Sequence, residues 1–292
     1  MTASAREKTL IYLLIALVLI VFMVPIYLIL ASSLKQPVDM FSQPPKFIFT
    51  PTLQNYYDLF TMRPFHLQIL NSLIVALGST AFSLVVGSLA AYAISRIKNK
   101  WINEVSFWIL SMRMFPPITV VVPYYIIFKT VGLLDTPLAL IIVYSTFNIP
   151  LTVWLMKGFF DEVPAALEEA AQVDGHGVIA TFFWVTLPLT APGLAVAAVF
   201  CFIFSWNEFL FALMLTGSKA QTVTVAVMSF WSSDAVQWGR IMAGSFIVLI
   251  PGMIFVLTCQ RWLVNVDVES TRSFRTPPVK AVLLVQREGL TS

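Results

Sequence analysis

The stretch Leu10-Ile-Tyr-Leu-Leu-Ile-Ala-Leu-Val-Leu-Ile-Val-Phe-Met-Val-Pro-Ile-Tyr-Leu-Ile-Leu30 contains no charged residue. It has the ~20 apolar residues that a helix needs to cross a bilayer. It also exceeds the ~7–15-residue core of a signal peptide, so it reads as an uncleaved span. Five more apolar runs follow, at about 69–94, 105–128, 138–156, 189–215 and 241–263. The whole composition agrees. The chain is 58% hydrophobic and 11% charged, with a mean hydropathy of +0.84, against about 25% charged residues in a soluble domain. Too few charges remain to cover a water-facing surface, so the solvent is largely lipid. In lipid every backbone N–H and C=O must be paired internally, which leaves helices or a closed barrel. The runs are continuous and do not alternate at period two, so helices are expected. The fold class is therefore an all-α polytopic membrane protein with six transmembrane helices.

Within this frame the prolines predict breaks. Pro116, Pro117 and Pro123 fall in the third run, Pro150 in the fourth, and Pro251-Gly252 in the sixth. The chain divides into an N-terminal span with a polar loop (1–68), a core membrane domain (69–263) and a tail (264–292). A net charge of +3 argues against a nucleic-acid partner. Cys201 and Cys259 lie in apolar runs and read as small core residues, and His66 and His176 are too far apart in the sequence to suggest a shared metal site. With the N-terminus placed inside, eleven Lys and Arg fall inside: residues 6, 8, 96, 98, 100, 157, 261, 272, 275, 280 and 287. Six fall outside, at 35, 46, 63, 129, 219 and 240, and Arg113 lies within a span. This bias puts both termini in the cytoplasm.

One inside loop opposes the bias. Residues 157–188 carry Asp161, Glu162, Glu168, Glu169 and Asp174 against a single lysine. Asp161 or Glu162 suits an N-cap, Pro164 the first helical turn, and 165–173 is a strong helix-forming stretch. Val163, Leu167, Ala170 and Ala171 fall on one side, with Glu168, Glu169 and Gln172 off that stripe. Gly175-His176-Gly177 ends the helix, and 178–185 leads to Leu187-Pro188. The loop thus reads as helix, glycine turn, helix. Two readings fit: a hairpin packed on its own bundle, or a small flat surface offered to a partner.

The motif Glu169-Ala170-Ala171, three residues, Gly175, nine residues, then Val185-Thr186-Leu187-Pro188 resembles the EAA loop of ABC importer permeases, with Val185 in place of isoleucine. Asn71-Ser72, Arg113-Met-Phe-Pro-Pro117, Gly132-Leu-Leu-Asp135 and Ser205-Trp-Asn-Glu-Phe-Leu-Phe211 resemble the carbohydrate-uptake, maltose-type branch of that family. The resemblance covers about 10–262, and the tail departs from it. It implies a type I importer permease fold with cytoplasmic coupling helices, in a bacterial inner membrane. It also implies a second permease subunit, two ATP-binding subunits and an external solute-binding protein as partners, with lipid around the spans. On this resemblance Leu167, Glu168, Glu169, Ala170, Ala171, Asp174, Gly175, Leu187 and Pro188 form the ATPase-coupling element.

No G-x-x-x-x-G-K-[ST] segment occurs, so the chain lacks the usual phosphate-cradling loop. It is expected to be a non-catalytic subunit binding no cofactor itself, with ATP and Mg used by the partner ATPases. The candidate substrate path comprises Arg113, Trp206, Asn207 and Glu208. A charge at mid-depth costs about 2.5–3.5 kcal/mol on insertion scales, so Arg113 should face a cavity or a partner, or brace a proline break by bonding freed carbonyls. Trp206 with Asn207 and Glu208 suits a sugar, or an interfacial anchor. The expected cargo is carbohydrate in the broad sense: sugar, oligosaccharide, polyol or glycerol phosphate. The alternative is an ion-coupled carrier working without an ATPase. It should show internal repeats and intramembrane acids, and the core spans are short of Asp and Glu.

Overall fold

The computed structural model describes residues 5–97, 99–231 and 236–273. Among them the regular structure is helical. The order is α1 (Ala5–Ser33), α2 (Pro37–Met40), α3 (Gln54–Met62), α4 (Phe65–Arg96), α5 (Lys100–Met112), α6 (Pro117–Thr130), α7 (Pro137–Glu162), α8 (Ala165–Val173) and α9 (Val178–Thr181). A π-helical turn at Phe182–Thr186 follows, then α10 (Leu187–Leu189), α11 (Ala191–Trp206), α12 (Leu210–Leu215), α13 (Val223–Met228) and α14 (Trp238–Ser273).

Four helices are long and apolar enough to cross a bilayer: Arg6–Ser33, Phe65–Arg96, Pro137–Glu162 and Trp238–Gln260. Two broken pairs, Lys100–Met112 with Pro117–Thr130 and Val178–Leu189 with Ala191–Trp206, bring the number to six when each pair counts as one crossing. The third run thus breaks where its proline pair begins. Pro123, Pro150 and Pro251 lie inside continuous helices.

Two expectations are corrected. The fifth run does not continue to residue 215. It stops at Trp206 and a new helix starts at Leu210, because Glu208 turns its carboxylate onto the N–H groups of Phe211 (3.0 Å) and Ala212 (3.2 Å) and caps α12. Neither Asp161 nor Glu162 caps the loop helix. Both are absorbed into α7, and Pro164 takes the N-cap position with extended backbone and no side-chain cap. The tail expected from 264 is helical as far as Ser273, and 274–292 lie outside the described residues.

The chain forms two compact units. The first comprises Met1–Leu77, Pro117–Val143 and Ser205–Met253. In it the apolar side chains of α1 stand exposed from Leu10 to Leu28, with Ile26 half-buried, as a lipid-facing helix requires. Polar contacts fasten the segments between its long helices. Asn55 donates to the carbonyls of Ser33 and Lys35, and Arg240 pairs with Asp58 at 2.6 Å. The segment 216–223 is clamped from two sides. Asn71 donates to the carbonyls of Lys219 and Gln221, Ser72 accepts the N–H of Val223, and Gln68 meets Gln221. Opposite, the Asp135 carboxylate accepts the N–H groups of Gly217 (2.8 Å), Ala220 (2.9 Å) and Lys219 (3.2 Å).

The second unit comprises Gly78–Pro116, Tyr144–Phe204 and Ile254–Ser292. Its packing rests on small residues. Ser79, Ser83, Gly87 and Ala91 recur every four positions on α4 and are buried. A β-carbon on Gly87 would lie 2.6 Å from Cβ of Thr152, so α4 and α7 approach at backbone distance. Membrane helices, which gain little from hydrophobicity against lipid, associate through such columns. Near the C-terminal end of α4, Ala91, Ile94, Val153, Met156, Phe160, Phe182 and Ala197 form a buried apolar cluster, and the 165–189 loop stands on it.

Candidate functional site: the loop from Ala165 to Leu189

The loop helix α8 is nine residues long, and an isolated helix of that length is marginal in water. Two features hold it. Its C-terminus closes as a Schellman motif: the N–H of His176 donates to Ala171 C=O and that of Gly175 to Gln172 C=O, both at 3.0 Å. Gly175 supplies the left-handed residue, with φ +93°.

The second feature is Glu168, the buried residue of α8 at 5% exposure. Its carboxylate accepts four groups from two other elements. Arg96 Nε lies 3.0 and 2.9 Å from the two oxygens, and Arg96 Nη2 lies 2.7 Å from Oε1. Tyr92 O–H donates to Oε2 at 3.0 Å and Thr186 Oγ1 to Oε1 at 2.8 Å. Arg96 also reaches Val163 C=O at 3.3 Å and lies over the Tyr92 ring, 5.7 Å from its centroid. Burial alone would push the Glu168 carboxyl up. The donors, Arg96 first and then Thr186 and Tyr92, outweigh it and hold the group below the ordinary glutamate range. Alongside, Asp161 accepts from Ser95 and pairs with Lys157 at 2.6 Å.

The remaining face of α8 points away. Leu167 is 47% and Val173 87% exposed, with Glu169 and Ala170 also exposed. Val178 and Ile179 continue the apolar surface past the glycine turn. Of the nominated coupling residues, Leu167, Glu169, Ala170, Asp174, Gly175 and Pro188 are exposed, and Ala171 and Leu187 are half-buried. Glu168 is the exception. Grouped with the contact residues and off the stripe of Val163, Leu167, Ala170 and Ala171, it nonetheless faces inward. Its burial depends on partners far off in the chain, Arg96 and Tyr92 on α4. Sequence reasoning counted Arg96 only as an inside charge. The available signal was the Tyr92–Arg96 spacing of four, which puts both on one face of α4.

The nominated substrate-path residues divide between the units. In the second unit Arg113 caps α5, donates to Phe147 C=O at 3.2 Å one turn before Pro150, and lies over Phe204 at 4.6 Å. In the first unit Trp206 is 3% exposed, and its indole N–H donates to Val248 C=O at 3.1 Å. Glu208 is committed to α12, and Asn207 is exposed. Trp206 is thus packed with its indole N–H bonded, and Arg113 bonds one carbonyl of α7 rather than of its own helix.

Residues 83–265 match the family described as binding-protein-dependent transport system inner membrane component. The trehalose transport system permease protein SugB of Mycobacterium tuberculosis is 37% identical over 89% of this chain and 96% of its own length. A probable ABC transporter permease, y4oR of Sinorhizobium fredii, is 36% identical over 90% of this chain and 95% of its own. Among solved structures, a chain of a bacterial ABC transporter involved in import of the acidic polysaccharide alginate superposes with a TM-score of 0.69. It is 21% identical and covers 89% of this chain and 99% of that one.

Proposed function

We propose, from the premise that this chain belongs to the family of binding-protein-dependent transport system inner membrane components, that it carries carbohydrate-type cargo and couples to its ATPase through the outer face of α8. The chain is a multi-pass inner-membrane permease subunit of an ABC importer. It works beside a second, different permease subunit, two ATP-binding subunits and an extracytoplasmic solute-binding protein. ATP and Mg are handled by the ATP-binding subunits, and this chain is non-catalytic. Both termini lie in the cytoplasm. The carbohydrate assignment draws on relatives named for sugar uptake, such as the trehalose permease. The observation that carries the coupling reading is the exposed surface of Leu167, Ala170 and Val173 on a helix anchored from behind by Glu168. A contiguous apolar surface on the cytoplasmic side, rimmed by Glu169 and Asp174, has the character of a protein contact.

Co-purification in mild detergent tests this. The wild-type chain is expected to bring down an ATPase and a second permease. Leu167→Asp is expected to lose the ATPase and keep the second permease. An ATPase retained undiminished by Leu167→Asp refutes the assignment of the face. A monomer that catalyses ion-driven uptake in liposomes refutes the importer reading altogether.

A further inference from the structure

We propose that Arg96, with Tyr92 and Thr186, is a positioning device for transport: it makes α8 move as one piece with the cytoplasmic end of α4 and with the turn leading into α11. The proposal rests on the reading that α8 is where the ATPase docks. A short helix pushed from its exposed side can rock on its own or carry its neighbours with it, and its fastening decides which. Here the fastening is concentrated. Glu168 is the buried residue of the helix, and all four donors converge on its carboxylate. Three come from α4, two on Arg96 and one on Tyr92 a turn before it, and the fourth is Thr186 at the end of the π-helical turn. Arg96 presents a planar fork to both oxygens, a geometry that resists rotation as well as separation. Tyr92 ties the same node to the apolar cluster beneath, its ring lying 5.7 Å from Phe160 and 4.9 Å from Phe182. Displacement of α8 therefore reaches α4 and the π-turn through one charged node, backed by rigid packing. Coupling between distant sites is carried by discrete packed elements of this kind.

The distinguishing quantity is ATP hydrolysed per cargo molecule imported, measured on the assembled transporter in proteoliposomes with its binding protein and cargo. A role in folding alone would lower uptake and hydrolysis together. A positioning role lowers uptake while hydrolysis continues. For Glu168→Gln and Arg96→Gln the expected result is a fall in uptake of about tenfold with hydrolysis within twofold of wild type. The double variant Arg96→Met/Glu168→Leu, which replaces the charged tie by an apolar one of similar bulk, should recover most of the ratio, since buried ion pairs are replaceable by packed apolar residues. If Glu168→Gln strips the ATPase from the complex, Thr186→Val decides, with a two- to threefold rise in ATP per cargo expected. Unchanged ratios, or uptake and hydrolysis falling in proportion, overturn the proposal. A wild-type complex without any ATPase overturns instead the docking reading on which it rests.

Discussion

Removing the Asp135 carboxylate should open the segment 216–223 locally, by an amount that can be worked out. Asp135 has φ +57°, left-handed for a residue with a side chain, and its own N–H is fixed to Leu215 C=O at 2.9 Å. That conformation aims the carboxylate at the N–H groups of Gly217, Lys219 and Ala220. A hydrogen bond to a charged group contributes about 1.5–3 kcal/mol when buried. Two of these three are exposed, so a total of about 2 kcal/mol is the appropriate scale. Asp135→Gly removes the acceptors without strain in the left-handed region, and ~2 kcal/mol corresponds to about a 30-fold rise in the open population. Lys219 provides the assay. Trypsin cutting after it tracks the open population when reclosing is fast, so the fragment ending at Lys219 should appear about 30-fold faster. Asp135→Asn keeps one oxygen and tolerates the left-handed backbone, so its rate should rise only a few-fold. Equal cutting rates in wild type, Asp135→Gly and Asp135→Asn would refute the clamp.

The α4–α7 contact and the pH response of the α8 anchor give two further predictions. Gly87→Ala places a methyl 2.6 Å from Cβ and 2.7 Å from Cγ2 of Thr152, with Ile149 C=O at 3.3 Å. It should destabilise by about 1–3 kcal/mol, read as a lowered Tm of the purified complex and relieved in a Thr152→Gly background. A wild-type Tm for Gly87→Ala alone would contradict the packing. The pH response follows from the lowered folded-state pKa of Glu168. Stability from its ionised form is fully present above the unfolded value of about 4.3 and is lost as pH falls through the folded one. Hydrogen-exchange protection of α8 amides, corrected for intrinsic rates, should be flat from about pH 5 to 8 and decline below. Glu168→Gln should abolish that decline, and an equal decline in the variant would disprove the assignment.

The long apolar runs made the spans legible, and the Ala165–Val173 helix with its glycine stop followed from propensity and Gly175. These are local signals, carried by ten or twenty adjacent residues. What escaped depends on distant partners. A glutamate on a short acidic helix looks solvated until Arg96 and Tyr92 arrive beside it from another helix. The break after Trp206 was hidden because apolar residues resume at Phe209 directly after Asn207-Glu208, and the capping role of Glu208 marks the new start. Arg113, nominated for the substrate path or for bracing a proline break, bonds the backbone of α7 near Pro150, a partner that lies outside its own run. Asp135 lay in a recognised stretch, but nothing in the stretch told that its backbone is left-handed.

The π-helical turn at Phe182–Thr186 bears on how the gene can vary. Such a turn holds about one residue more than the α-helical turn it replaces. Here it ends at Thr186, whose hydroxyl faces Glu168 and donates to it at 2.8 Å. Deleting a single codon within 182–185 would let the segment relax into α-helix with the phase of Thr186 nearly kept, whereas deleting two would swing the hydroxyl by about 100° around the axis. Point substitutions on its outward positions leave that phase untouched. The length of this segment is therefore under tighter restraint than the identity of its exposed residues, with one deletion tolerated better than two, and a library of one- and two-codon deletions across 178–190 would map the restraint directly.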